Sequence, residues 1–220
     1  MTTETERELF LAIQASDAAQ VRSLVQADPA LLQAVSPMGV SPVLFATYYG
    51  KHDMARALID LGATLDIFEA AAVGNAARVR GLLDTGADVN AVSPDGFSPL
   101  GLAAFFGRTE VARLALERGA NVNAVSANAM QVRPLHSAVA GNHETLAREL
   151  VAAGADVNAE QQDGFTPLMG AAQNGNAALV SFLLSCGAQA DAKADDGRTA
   201  ESVAAEEGHV DVLAALTRTT

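Results

Sequence analysis

The groups in this sequence that could do chemistry are four histidines, one cysteine and a scatter of carboxylates. Histidine could move protons or bind a metal, a thiolate could act as nucleophile or ligand, and paired carboxylates could divide acid and base roles. Their spacing supports none of these. His52, His143 and His209 follow chain corners at Gly50, Asn142 and Gly208, and His136 stands in Pro134-Leu-His-Ser-Ala138, so the four occupy separate stretches and cannot converge on one ion or substrate. Cys186 alone can form neither an internal disulfide nor a cysteine-based zinc site; it reads as a small core residue and suits a reducing compartment. Asp84 with Asp88, Asp195 with Asp196 and Glu206 with Glu207 read as solvated faces. Gly50-Lys51 lacks the rest of a phosphate-cradling loop, and neither a nucleophile elbow nor calcium-loop spacing occurs. The expectation is a chain that is not an enzyme, with no catalytic, cofactor-binding or metal residues.

The elements that would have to position such groups repeat. A Gly-Ala pair recurs at Gly62, Gly86, Gly119, Gly154 and Gly187, at intervals of 24, 33, 35 and 33 residues. Three pairs lead into Asp88-Val-Asn-Ala91, Asn121-Val-Asn-Ala124 and Asp156-Val-Asn-Ala159. Asp95-Gly-Phe-Ser-Pro-Leu100 and Asp163-Gly-Phe-Thr-Pro-Leu168 follow, with Met38-Gly-Val-Ser-Pro-Val43 and Asp196-Gly-Arg-Thr-Ala200 as weaker copies. Ser98 or Thr166 can accept a backbone N–H as a helix N-cap, and Pro99 or Pro167 suits the first helical position, where its missing donor costs nothing. The spacing predicts a short helix over Leu100–Phe106 and a second over Thr109–Arg118, closed by Gly119 in the left-handed conformation. Between helix pairs, the Asp/Asn-rich run has turn chemistry and projects as a hairpin-like finger. No single unit buries its own apolar face, so the units must stack.

In length, order and motif these units resemble ankyrin repeats, about 33 residues of β-turn and two helices with a Thr-Pro-Leu-His-x-Ala signature, to which Pro134-Leu-His-Ser-Ala138 is the nearest match. The resemblance implies an all-α repeat solenoid with projecting β-turn or hairpin fingers. The chain divides as one domain, 1–220: an N-terminal cap (1–35), repeats at 36–66, 67–91, 92–124, 125–159 and 160–192, and a charged C-terminal cap (193–220). The 67–91 repeat is nine residues short and lacks its finger, whereas the 125–159 repeat has a finger two residues longer. The first leaves a notch and is read as a tolerated deletion, with a hinge or a binding notch as the alternatives. The second is either a contact loop carrying Met130 and Arg133 or ordinary loop variation. The resemblance also gives His136 a structural role, its imidazole bridging turns through backbone hydrogen bonds. Asn90, Asn123 and Asn158 fall where asparaginyl hydroxylases act in some relatives, but are read as turn-stabilising.

A net charge of −12 disfavours nucleic acid, and the acidic start Met1-Thr-Thr-Glu-Thr-Glu-Arg-Glu8 is unlike a secretory signal. A soluble, cytoplasmic, monomeric protein off the membrane is expected. The family's partners dock on finger tips and on the exposed side of the first helix of each repeat. Carried over, the exposed finger positions are Met38 and Val40; Pro94, Asp95 and Phe97; Gln162, Asp163 and Phe165. The helix-end pairs are Tyr48–Tyr49, Ala72–Val73, Phe105–Phe106, Gln173–Asn174 and Glu206–Glu207. The candidate partner-binding residues are Tyr48, Tyr49, Phe97, Phe105, Phe106, Met130, Arg133 and Phe165. Each aromatic pair either fills a gap between repeats or waits for a ligand. The expected function is a non-catalytic scaffold binding a partner protein with basic groups. A regulatory or inhibitory subunit of an enzyme and a homo-oligomer joined through the aromatic patch are the alternatives.

Overall fold

A computed structural model of the chain describes residues 3–217; the extreme ends of the two expected caps, 1–2 and 218–220, lie outside it. Fourteen α-helices and two 3₁₀ turns occur among the described residues, and no strand. The chain forms two compact units, one running to Asp88 and including Ser93–Asp95, the other comprising Val89–Val92 and the chain from Gly96 onward.

The first unit holds three antiparallel helix pairs: α1 (Glu4–Ala15) with α2 (Ala18–Ala27), α3 (Pro42–Tyr48) with α4 (His52–Asp60), and α5 (Ile67–Val73) with α6 (Ala76–Asp84). Within it α3 packs on both α1 and α5. The second unit holds α7 (Pro99–Phe105) with α8 (Thr109–Glu117), α9 (Pro134–Ala140) with α10 (Glu144–Ala152), α11 (Pro167–Gln173) with α12 (Ala177–Ser185), and α13 (Ala200–Glu206) with α14 (Val210–Thr217). Here α7, α9, α11 and α13 line up in one layer.

Local chemistry sets the helix starts. Ser41, Ser98 and Thr166 each accept a backbone N–H from the third helical residue, with proline in first position behind each cap. Helix α1 starts at Glu4 because Thr3 and Glu6 form a reciprocal capping box. The layer is thin because its buried face is small: Ala103, Ala104, Ala138, Ala171, Ala172 and Ala204 have no exposed surface, with Leu100, Leu102 and Leu135 filling between them. Close approach also demands glycine. A β-carbon at Gly107 would lie 2.5 Å from the His143 ring, and one at Gly175 would lie 2.8 Å from His209.

The fingers are turns rather than paired strands, each closed by a backbone bond such as Ser36 N–H to Val40 C=O at 2.9 Å or Gln161 N–H to Phe165 C=O at 3.0 Å. In the second unit, neighbouring fingers are rungs of a ladder. Ala127 N–H donates to Gly96 C=O at 2.7 Å, Gln162 N–H to Met130 C=O at 3.0 Å, and Asp195 N–H to Asp163 C=O at 2.9 Å.

The structure corrects three sequence expectations. Val40 is buried rather than presented on the finger, because closing the turn back to Ser36 folds its side chain inward. Ala72 is buried too: the α5–α6 corner is Gly74–Asn75 where α7–α8 has Phe106–Gly107–Arg108, so Ala72 corresponds to buried Ala104 and not to Phe105. Cys186, expected in the core, is exposed, since it follows α12 as its C-cap instead of lying on its buried face.

Candidate protein-binding site

In the first unit α1, the first finger and α3 together build an apolar groove. Helix α1 contributes Arg7, Phe10, Leu11 and Gln14, the finger Pro37 and Met38, and α3 with its C-cap Phe45 and Tyr49. The space they enclose is about 370 Å³. Phe10 and Phe45 meet edge to face at 5.0 Å, and Phe45 meets Tyr49 at 4.6 Å, which gives the groove a stiff aromatic floor. Leu11, Met38 and Tyr49 stand over it at 53%, 52% and 43% exposure. Arg7 is the one charged group in its lining.

Of the candidate residues in this unit, only Tyr49 opens onto the groove. Tyr48 is half-buried, and its hydroxyl donates to the Asp95 carboxylate, which also accepts from Ser93. Burial first, and the Asp95 carboxylate second, push the Tyr48 phenol well above its ordinary range, so it stays a donor. Tyr48 is thus a strut between the end of α3 and the finger carrying Asp95.

In the second unit Phe105 is exposed at 39%, with Phe106 half-buried against it edge to face at 5.0 Å. Phe97 and Phe165 are half-buried, the latter beneath the Arg198 guanidinium at 5.9 Å. Met130 is exposed at the tip of the long finger, while Arg133 donates to the Glu160 carbonyl at 2.7 Å. Tyr48 and Tyr49 therefore belong to one unit, and Phe97, Phe105, Phe106, Met130, Arg133 and Phe165 to the other. Sequence patterning missed Phe10 and Leu11 because the first helix pair carries no repeat motif to align them, and Phe45 because it lies on the buried face of α3 rather than at its exposed end.

Three of the histidines tie separate stretches of the chain together. His136 accepts from Arg133 N–H through Nδ1 at 3.2 Å and donates through Nε2 to the Ala159 carbonyl at 3.0 Å. Burial lowers it to about 4, keeping the ring neutral with one donor and one acceptor. His143 and His209 donate to the Phe105 and Gln173 carbonyls at 3.1 and 3.0 Å. Three asparagines do more than stabilise their own turns. The amide oxygens of Asn90, Asn123 and Asn158 accept from the N–H groups of Asn121, Asp156 and Gln189, while their amide nitrogens donate to the carbonyls of Gly119, Gly154 and Gly187. Each staples one repeat to the next. Among the described residues no three His, Cys, Asp or Glu side chains cluster to hold a metal, and no helix is long and apolar enough to cross a membrane.

In the fingerless repeat Asp66 caps α5, accepting from Phe68 and Glu69 N–H, and the Glu69 carboxylate accepts from Asp66 N–H at 2.7 Å. Glu69 is 9% exposed and also takes a hydrogen bond from Ser41. Burial pushes its carboxyl up, against the pull of those donors.

No curated protein matches the sequence. A family model described as ankyrin repeats matches in three copies, over residues 67–161 and 135–219, together more than half of the chain. The matched spans take in the Pro-initiated α7, α9 and α11, the finger ladder and the asparagine staples, and the chain belongs to the ankyrin-repeat family.

Proposed function

We propose that this chain is a non-catalytic protein-binding module whose main contact in the first unit is the groove under Leu11, Met38 and Tyr49. The observation that carries this reading is the concentration of those three exposed apolar side chains over one concave, aromatic-floored space of about 370 Å³. Exposed apolar clusters of this kind mark interaction surfaces, and aromatic residues are common hot spots there. Ankyrin repeats are in general protein–protein interaction modules, which agrees with it. Phe105 and Phe106 offer a second, smaller apolar contact in the other unit. A surface carrying −12 favours a partner with basic groups around its apolar anchor.

The test is capture of partners from the native host by the wild-type chain and by Leu11→Asp/Tyr49→Ala, with helix content compared by circular dichroism. A module that binds through the groove loses its partners in the double variant while keeping its helices. Equal recovery of the same partners by both chains refutes the groove as the contact.

A further inference from the structure

The finger missing before α5 leaves a notch of about 480 Å³ in the first unit, lined by both polar and apolar side chains. One wall is the first finger (Gly39, Val40), the other is Ser93–Pro94, and the floor is the start of α5 with Asp66 and Glu69. The volume lies within the range of ligand pockets, roughly 300–1,000 Å³.

The finger ladder tells what the notch lacks. Each rung runs from an N–H at one finger position, held by Ala127, Gln162 and Asp195, to a carbonyl in the preceding finger's turn. The two fingers with no finger before them carry proline at that position, Pro37 and Pro94, so neither leaves a stranded donor. The acceptor side is not closed in this way. Gly96 C=O receives a rung, but among the described residues no N–H reaches the carbonyl of the corresponding Gly39 or of Met38. Of the ionisable groups in the lining, two are carboxylates, and the third, Arg78, is held by its Nε on the Leu65 carbonyl. The two carboxylates and the open Met38 and Gly39 carbonyls are acceptors that suit a donor-rich group. Its walls are fixed in advance: Ser36 closes the first finger, while Tyr48 and Ser93 both hold Asp95.

We propose that this notch is a slot for a loop of a partner protein that donates a backbone N–H to the Met38–Gly39 turn and sets an arginine side chain against Asp66 and Glu69. Arginine fits because it carries five donors and no acceptor. Pro94 has no backbone N–H to give the incoming segment on the far wall. The proposal rests on the protein-binding reading; it shares the Met38 main chain with the groove, but its side-chain contacts, Asp66 and Glu69, lie outside the groove lining.

The probes are two blocked pentapeptides, Ala-Gly-Arg-Gly-Ala and Ala-Gly-Glu-Gly-Ala, titrated into the full chain while backbone amide resonances are followed. The arginine peptide is expected to shift the amides of Gly39, Val40, Leu65 and Glu69 and to bind about tenfold more tightly than the glutamate peptide. Glu69→Gln, which keeps the side-chain volume, is expected to shrink that preference, and inserting a second copy of residues 91–98 between Leu65 and Asp66 to abolish the shifts. Leu11→Asp/Tyr49→Ala is expected to keep them. Equal response to the two peptides, shifts confined to the Leu11–Tyr49 groove, or loss of the shifts in that double variant each overturns the slot and leaves the groove's own test standing.

Discussion

The fingerless repeat built on α5 and the long-fingered repeat built on α9 place different residues at one helical position. Glu69 and His136 are both third in their helices, and both accept from the backbone N–H of the residue that starts the helix. They differ in where the rest of the side chain goes. His136 reaches forward and donates to the Ala159 carbonyl, whereas Glu69 reaches back and accepts from the Ser41 hydroxyl. A carbonyl neighbour requires a donor and a hydroxyl neighbour suits an acceptor, so the partner at hand selects the residue while the position stays constant. The helical frame of the repeat survives loss of the loop, and the polar side chain at its third position re-aims to match.

The largest effect expected from breaking this comparison is at His136. His136→Ala leaves Arg133 N–H and the Ala159 carbonyl without their buried partner and opens a void, a cost of about 3 kcal/mol that a denaturant titration reads as a lowered midpoint. The pH response of the two repeats runs in opposite directions. His136 sits at about 4 when folded, so the unfolded chain binds more protons below its own value of about 6.5. Its contribution is full above that value and is lost as the pH falls from about 6.5 toward 4. Glu69 is raised instead, so its contribution is full in acid and is lost as the pH rises through its folded value. His136→Gln should therefore remove a loss of stability that comes with falling pH, and Glu69→Gln one that comes with rising pH above the ordinary carboxylate range. A common change in both would show that the sites do not titrate separately.

Smaller effects sharpen the picture. Asn123→Ala removes an acceptor from Asp156 N–H and a donor from the Gly154 carbonyl, both reachable by water, and should cost about 1–2 kcal/mol by the same titration. Tyr48→Phe keeps the ring and deletes the hydroxyl on Asp95; a loss of about 1 kcal/mol is expected, with the nearby Tyr49 groove unaffected. Arg113→Ala breaks an exposed ion pair to Glu149 and should leave the midpoint unmoved.

The helix pairs, their proline starts and the missing finger were legible in the sequence because each depends on residues near one another in the chain. The positions of Val40, Ala72 and Cys186 were not. Val40 is turned inward by a bond four residues back, Ala72 shifts because the corner beside it is one residue shorter, and Cys186 ends its helix rather than facing inward. Aligning motifs assigns a position, while its exposure depends on local closure that motifs do not encode. The groove was half legible for a similar reason. Tyr49 and Met38 belong to the repeat pattern, but Phe10 and Leu11 lie in a cap with no motif. The asparagines looked like turn residues because their partners lie about thirty residues away, in the next repeat.

Those asparagine bridges also act as clocks. The N–H groups of Asn121, Asp156 and Gln189 lie on exposed loop positions, where amide protons ordinarily trade with solvent quickly. Each is held by a side chain anchored in the preceding repeat, so its trade with heavy water requires two repeats to part. Deuterium uptake at these three loop amides would therefore time the separation of neighbouring repeats, one interface at a time, from the surface of the protein.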